Sequence, residues 1–143
     1  MFEKMRGVWT KAIDPLVLKM GNLDPSVLTW TSLILALVSF WLIAEAGLDG
    51  DGAMTIGVGV VLILIAGVLD ALDGALARHQ GVAGPYGDFL DHTIDRVVDV
   101  GLLIAIGMNT AFVSDPRAGA VAAVLTLFGS YMGTQAQSVG LDR

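Results

Sequence analysis

The sequence predicts an all-α fold, a polytopic bundle of transmembrane helices preceded by an interfacial amphipathic helix. Its 143 residues are 55% hydrophobic and have a mean hydropathy of +0.72, which is too apolar for an ordinary soluble domain. Long uncharged stretches recur along the chain, and clusters of glycine, proline and aspartate separate them. The first twenty residues instead mix charged and apolar residues at helical spacing. Together these features favour a single membrane domain over residues 1–143.

The opening segment, residues 1–20, is predicted to lie in the membrane interface. Its apolar side chains recur every three or four residues, as on one face of a helix, and charged residues fall between them. Packing of this face on a soluble partner is the alternative. The segment has no uninterrupted apolar core, so we predict no cleavable signal peptide. The apolar positions are Phe2, Met5, Trp9, Ile13, Leu16 and Met20.

Four membrane spans are predicted after this segment. Asp24 is placed to cap the first of these helices, whose first position is Pro25, and Asp88 is placed to cap the third. The second helix continues past its uncharged part to Arg78. The uncharged or apolar runs are residues 27–44, residues 53–69 and residues 100–113, and the fourth helix covers residues 118–135.

Short turns connect these helices. Residues 47–52 form a plain turn, residues 81–87 break the chain after the second helix, and residues 114–116 precede the fourth helix. Basic residues precede the first span and residues 47–52 carry none, so the amino terminus and the turn after the second helix are predicted to face the cytoplasm. Because the chain stops soon after the fourth helix, we expect it to be truncated at its carboxyl end.

The composition narrows the classes of function. The formal net charge is −6 and basic residues are not clustered, which argues against nucleic acid as a partner. The chain has no cysteine and two histidines, which excludes disulfides and thiolate sites and argues against zinc. Its acidity is concentrated, because six aspartates fall between residues 70 and 99 in otherwise apolar sequence.

Helical spacing brings four of these aspartates together. Asp70 and Asp73 are three residues apart on the second helix, and Asp91 and Asp95 are four apart on the third, so each pair shares one helix face. The short turn makes the two helices antiparallel neighbours. Inserting a carboxylate at the centre of a membrane helix costs roughly 2.5–3.5 kcal/mol of free energy. Four such carboxylates therefore indicate either charged partners or a functional role. An all-oxygen ligand set selects hard cations, and we predict two Mg²⁺ or Mn²⁺ ions that grip a phosphate or pyrophosphate.

Small residues and an arginine accompany the aspartates. Arg78 lies one turn beyond Gly74 and offers a bidentate donor to phosphate. Gly74, Ala77 and Gly87 would let a bulky ligand approach the helix backbones. Close packing between membrane helices is the alternative explanation of these small residues.

These positions form one continuous pattern. The stretch Asp70-Ala71-Leu72-Asp73-Gly74-Ala75-Leu76-Ala77-Arg78, then eight residues, then Gly87, Asp91 and Asp95, resembles the full signature of the CDP-alcohol phosphotransferase family. Eight identities at fixed offsets make this resemblance specific. The wider similarity includes the interfacial helix and the Pro-Ser-Val-Leu-Thr opening of the first span at residues 25–29, and it covers most of the chain.

The resemblance implies an α-helical membrane enzyme of phospholipid biosynthesis, usually a homodimer with two metal ions. Such enzymes transfer a lipid phosphate group from a CDP-linked lipid donor to a small alcohol acceptor, and CMP leaves. By resemblance, Asp95 is both a metal ligand and the base that deprotonates the acceptor hydroxyl. The implied metal ligands are Asp70, Asp73, Asp91 and Asp95. The implied contacts of the CDP group are Gly74, Ala77, Arg78 and Gly87.

Two departures from the family pattern matter. Family members have six spans, whereas four are predicted here. Members that use inositol phosphate or similar acceptors carry basic residues in the fourth helix, and residues 130–137 have none. An uncharged or zwitterionic acceptor is therefore favoured, although the acceptor and the acyl or isoprenoid nature of the lipid stay open. Tyr131 and Gln135 share one side of the fourth helix, where they line an acceptor pocket or serve helix packing.

Three further polar residues lie near the signature. Asp99 continues the stripe of Asp91 and Asp95, and it either supports the site or pairs with Arg96. His79 and His92 could touch phosphate, and the favoured interpretation is that they are interfacial residues without a catalytic role.

Other functions are compatible with parts of this pattern. Intramembrane prenyltransferases also bind pyrophosphate through aspartate-rich motifs, but they do not require the spacing of Gly74, Ala77, Arg78 and Gly87. A cation carrier would use intramembrane carboxylates near the bilayer midplane, whereas these carboxylates cluster toward one surface beside an arginine. An inactive fragment or scaffold is a third alternative.

Overall fold

The computed structural model describes residue 13, residues 15–47 and residues 49–141. The described residues form helices and connecting turns with no strand among them, which confirms the all-α class. A short helix, α1, covers residues 15–20. Four long helices follow: α2 is Pro25–Glu45, α3 is Gly50–Gln80, α4 is Pro85–Met108 and α5 is Arg117–Ser138.

Aspartate caps begin the first two long helices. Asp24 caps α2, and its carboxylate accepts a hydrogen bond from the N–H of Ser26 at 2.9 Å, while Pro25 fills the first turn. Asp49 caps α3 and accepts from the N–H of Gly52 at 2.7 Å. The first cap confirms the prediction. The second starts α3 three residues earlier than predicted, because an aspartate of the predicted turn serves as the cap.

The break after α3 is shorter than predicted. Gly81 has a φ of +71°, and the N–H of Val82 bonds back to the carbonyl of Ala77 at 3.0 Å, which closes the helix. This left-handed conformation favours glycine. The next helix then begins only a few residues later.

The predicted cap of α4 was wrong. Gly84 is the N-cap and makes no side-chain cap bond, and α4 begins at Pro85. Asp88 lies inside the first turn, where its charge favours the helix amino terminus. The proline decides the boundary because its fixed φ suits the first turn and its missing N–H needs no partner there.

α2 packs against both α3 and α4, and α5 packs on α4. Two apolar clusters lie between the helices other than α5. The first cluster contains Ile13, Val17, Leu28, Leu72 and Leu76, and the second contains Ala36, Phe40, Ile43, Ala66 and Ala105.

The predicted interfacial helix is described only in its last turns. Ile13 and Val17 are buried against α2 and α3, whereas Leu16 is 49% exposed. The inward side therefore follows Ile13, Val17 and Met20 and leaves Leu16 outside. The predicted positions Phe2, Met5 and Trp9 lie outside the described residues.

The described residues include two helices, α2 and α3, that are long and apolar enough to cross a membrane. Large apolar side chains on their outer surfaces, such as Trp41 and Leu64, are about two-thirds exposed, at 65% and 64%. Apolar surface of this extent suits a membrane environment. The spans predicted for α4 and α5 stay predictions.

Candidate active site

The aspartates of α3 are held in place because neighbouring residues of the same helix are buried against other helices. Leu72 and Leu76 are buried in the cluster shared with α1 and α2, at 5% and 0% exposure. Asp73 lies between them in sequence and is itself buried, whereas Asp70 is half-buried. The packing of the two leucines therefore holds the last turns of α3 in a single orientation.

α4 supplies the second pair. Ile94 is buried, and Asp91 and Asp95 on either side of it in sequence are half-buried. α4 packs against α2, so the anchored side of the helix fixes where its carboxylates lie.

The four predicted metal ligands form two overlapping groups rather than one. A carboxylate oxygen from each of Asp70, Asp73 and Asp91 lies within 4.8 Å of the other two. Ligand atoms of Asp91, His92 and Asp95 meet the same distance. Asp91 is thus common to two neighbouring ligand sets. His92 was not expected here, because adjacent residues on a helix point in different directions.

The carboxylates have no basic partner among the described ion pairs. Those pairs are Arg96 with Asp99 at 2.9 Å and Arg117 with Asp115 at 2.8 Å. The first confirms the pairing considered for Asp99. Carboxylates this close repel one another, so a cation between them relieves the repulsion. An all-oxygen donor set of three carboxylates fits a hard divalent cation.

One carboxylate is held from α2. The hydroxyl of Thr29 donates a hydrogen bond to Oδ2 of Asp73, and both side chains are buried. Sequence reasoning did not find this contact. Its only signal was the threonine at the end of the Pro-Ser-Val-Leu-Thr stretch, 44 residues away from its partner.

A cavity of about 670 Å³ opens where α3 ends and α4 begins. The start of α2, at Asp24, Pro25 and Ser26, forms part of its wall. The turn before α2 is held against the end of α3, because Nε2 of Gln80 donates to the carbonyl oxygens of Gly21 at 3.0 Å and Leu23 at 2.8 Å. A volume of this size suits a nucleotide-sized ligand. The signature residues that line it are Asp73, Gly74, Ala77, Arg78, Gly87 and Asp91.

Two signature glycines face space rather than packed helix. A Cβ added at Gly87 would meet nothing within 4 Å, and one at Gly74 would meet only the guanidinium of Arg78, at 3.3 Å. Neither glycine is needed for contact with another helix. Their small size keeps the cavity open along both helices.

A smaller cavity of about 190 Å³ lies between the same helices, one to two turns farther from the break that separates α3 and α4. Asp70 and Asp95 line it, together with Ser32 of α2 and apolar residues of α3 and α4. Asp73 and Asp91 line the larger cavity, so the four carboxylates separate the two spaces.

A third cavity, of about 820 Å³, lies between α4 and α5. Tyr131 and Gln135 are not among its lining residues. Its polar lining residues are His92, Thr93, Arg96, Ser130, Thr134 and Gln137.

Comparison with known proteins agrees with this arrangement. The model of the CDP-alcohol phosphatidyltransferase family matches residues 22–137. Archaetidylinositol phosphate synthase of Methanothermobacter thermautotrophicus is 31% identical over 142 residues, which are 99% of this chain and 67% of that protein. Archaetidylinositol phosphate synthase of Pyrococcus horikoshii is 42% identical over 72 residues, 50% of this chain and 35% of that protein.

A bacterial relative matches similarly. Phosphatidylinositol phosphate synthase of Cutibacterium acnes is 28% identical over 148 residues, 99% of this chain and 68% of that protein. The chain thus spans about two-thirds of the length of the relatives that it matches end to end. No solved structure matches it. The family model covers most of the chain and includes both aspartate pairs, so this protein belongs to the CDP-alcohol phosphatidyltransferase family, membrane transferases of phospholipid biosynthesis.

Proposed function

We propose that this chain carries the active site that transfers a lipid phosphate group from a CDP-linked lipid to an alcohol and releases CMP. The observation that carries the proposal is the position of the carboxylates of α3 and α4 beside a nucleotide-sized cavity lined by Gly74, Ala77, Arg78 and Gly87. A cation carrier has no need of such a cavity. The proposed domain extends over residues 1–143.

The larger cavity is the proposed site of the CDP group. Gly74 and Gly87 leave room for the nucleotide to lie against the backbones of α3 and α4. Arg78 lines the same space, and its guanidinium can donate two parallel hydrogen bonds to a phosphate. The free space at Gly87 supports ligand binding over helix packing as the reason for this residue.

The carboxylates are the proposed ligands of two Mg²⁺ or Mn²⁺ ions. Asp70, Asp73 and Asp91 would hold one ion, and Asp91 with Asp95 would hold the other, because these are the two groups whose ligand atoms lie close together. Bound divalent ions of this kind neutralise charge on the phosphoryl oxygens and on the leaving group. His92 is close enough to join the second set, and an oxygen-preferring ion would not require it.

Asp95 is the proposed base. In the reaction, the acceptor oxygen forms a bond to the phosphorus on the lipid side of the diphosphate, and the bond from that phosphorus to the oxygen of CMP breaks. The hydroxyl proton passes to the carboxylate of Asp95. Asp95 suits this role because it lines the smaller cavity, whereas the nucleotide is assigned to the larger one. An in-line displacement requires the acceptor and the leaving group to lie on opposite sides of the phosphorus.

Two observations bear on the acceptor. The relatives named as archaetidylinositol phosphate and phosphatidylinositol phosphate synthases favour inositol phosphate. The lack of basic residues at 130–137 favours an uncharged or zwitterionic alcohol. We place the site on the cytoplasmic side, as the lysine and arginine distribution predicts, and the homodimer stays a prediction from the resemblance.

The proposal predicts metal-dependent CMP release that requires Asp95. Purified protein in lipid nanodiscs is incubated with Mg²⁺ or Mn²⁺, labelled CDP-lipids with acyl or isoprenoid chains, and inositol phosphate, glycerol phosphate, serine or inositol. Asp95→Asn should lower CMP release at least about 100-fold, since it removes the base and a metal ligand. Asp99→Asn is the matched control on the same helix, because Asp99 is already paired with Arg96.

Each outcome of this assay has a clear meaning. Full turnover by Asp95→Asn removes Asp95 from its assigned role. If no CDP-lipid yields CMP, a parallel incubation supplies an isoprenoid diphosphate in place of the CDP-lipid, and release of pyrophosphate from it identifies a prenyltransferase instead. Loss of CMP release in Asp95→Asn with normal release in Asp99→Asn supports the proposal.

A further inference from the structure

The threonine that ends the Pro-Ser-Val-Leu-Thr stretch has no role in the function proposed so far. Thr29 lies one turn into α2 and is 7% exposed. Its hydroxyl donates to Asp73, a proposed metal ligand that is 6% exposed. The contact joins a helix that carries none of the signature aspartates to the site that the signature builds.

Thr29 differs from four other helical threonines among the described residues, because its hydroxyl also bonds to a side chain on another helix. Thr31 on the same helix donates to the carbonyl of Val27, four residues earlier, at 2.6 Å. Thr55, Thr93 and Thr134 make the same local bond on their own helices. This local bond is the common way in which threonine satisfies its hydroxyl in a membrane helix.

The hydroxyl of Thr29 donates its hydrogen to Asp73. A hydroxyl has one hydrogen to donate. The carbonyl of Pro25, four residues earlier, is 3.3 Å from the Thr29 oxygen, and the Asp73 carboxylate is much closer. A charged acceptor also makes the stronger bond. The Thr29 hydroxyl therefore keeps a long local contact with the Pro25 carbonyl, and the carboxylate on α3 is its closer and stronger acceptor.

This bond restricts what the Asp73 carboxylate can do. One of its two oxygens, Oδ2, accepts from Thr29, and the group as a whole lies within reach of Asp70 and Asp91. A carboxylate held at one oxygen cannot rotate freely. Its orientation toward the other two ligands is then set before any ion binds.

We propose that Thr29 is a positioning residue that orients Asp73 for divalent metal binding. This inference rests on the proposed function, because it assumes that Asp73 is a ligand. Partners that orient metal ligands in this way typically contribute 10–100-fold to metal affinity. In this proposal Thr29 would act through its hydrogen bond to Asp73 and would not itself be a metal ligand.

The test measures metal binding without substrate. Purified protein in detergent is titrated with Mn²⁺, and the free ion is followed by electron paramagnetic resonance. Thr29→Val keeps the side-chain shape and removes the hydroxyl, whereas Thr29→Ser keeps the hydroxyl. Thr31→Val is the matched control, because its hydroxyl bonds only within α2. Thermal unfolding in EDTA reports whether each variant folds like the wild type.

The expected result is a 10–100-fold weaker Mn²⁺ affinity in Thr29→Val, with affinities near wild type in Thr29→Ser and Thr31→Val. The unfolding midpoint of Thr29→Val in EDTA should stay close to that of Thr31→Val. If Thr29→Val does not fold, Thr29→Ala carries the same expectation.

Three results would overturn the inference. Wild-type affinity in Thr29→Val, or lost affinity in Thr29→Ser, rejects the role of the hydroxyl and leaves the proposed function intact. A wild-type protein that binds no Mn²⁺ rejects the metal site of the proposed function, and the role of Thr29 falls with it. The titration of the wild type thus separates the two failures.

Discussion

Gly87 and Gly107 illustrate two different reasons for a glycine in this chain. A Cβ at Gly107 would lie 2.6 Å from the Cα of Gly119, which shows that α4 and α5 touch through their backbones. A Cβ at Gly87 would meet nothing within 4 Å. The first glycine serves packing, as small residues commonly do between membrane helices. The second faces the cavity, so its size matters to a ligand and not to the fold.

Alanine substitutions should separate these two roles. Gly107→Ala should destabilise the protein by about 1–3 kcal/mol, because the two helices must move apart. Gly87→Ala should leave stability unchanged or raise it by up to about 1 kcal/mol, since alanine favours a helix over glycine. It should nevertheless raise the KM for the CDP-lipid. Thermal unfolding and CMP release measure the two effects, and unchanged kinetics in Gly87→Ala would contradict the assigned cavity.

At the scale of the helices, the sequence predicted a helix boundary correctly where a local capping signal decides it. Asp24 with Pro25 marks the start of α2, and Gly81 marks the end of α3. The start of α4 was misplaced because Asp88 and Pro85 both resemble start signals. The proline prevails, since its backbone angle favours a helix from the first turn onward. The side of α1 that packs on α2 and α3 could not be chosen from the sequence, because Leu16 and Val17 are both apolar and only packing selects between them.

The ends of α2 and α4 are joined by a contact that no sequence pattern indicated. Asn109 is 1% exposed and caps α4. Its amide nitrogen donates to the carbonyl oxygens of Ile43 at 2.6 Å and Ala46 at 2.9 Å, and its side-chain oxygen accepts from the N–H of Ala111 at 2.9 Å. One side chain thus satisfies backbone groups at the end of a different helix.

This geometry predicts an order of effects at Asn109. Asn109→Ala should destabilise the protein by about 1–3 kcal/mol for each buried group left without a partner. Asn109→Asp should destabilise it more, because an oxygen would then face two carbonyl oxygens. Thermal unfolding in the same detergent compares the two variants. An aspartate variant more stable than the alanine variant would show that the amide donor is not what joins the helices.

For the whole molecule, the site was predictable to the extent that a short turn brings the aspartates of α3 and α4 to one end of the bundle. The two helices were predicted to be direct neighbours, whereas each packs on α2 far more than on the other. The helical repeat places Asp70 with Asp73, and Asp91 with Asp95, and a short turn brings the pairs together. The division into two ligand groups that share Asp91 was not predictable, because it depends on how α2 sets the distance between the helices. The contact from Thr29 was missed for the same reason.

Asp91 links the stability of the whole protein to metal. It belongs to both ligand groups, so in the absence of ions its charge adds to the repulsion among all the site carboxylates. Sites built for binding are often less stable when empty than the fold would otherwise allow. We therefore expect Asp91→Asn to unfold at a higher temperature than the wild type in EDTA, although it removes a proposed ligand.

Added metal should reverse this order. An ion present at about 100 times its Kd stabilises the wild type by about 2.7 kcal/mol, because it binds the folded state. Asp91→Asn should lose most of this gain together with CMP release. Asp51→Asn is the control, since Asp51 lies in the first turn of α3, at the opposite end from the site. Thermal unfolding is recorded in EDTA and in Mn²⁺. If Asp91→Asn unfolds below the wild type in EDTA, repulsion among these carboxylates does not limit the stability of the metal-free protein.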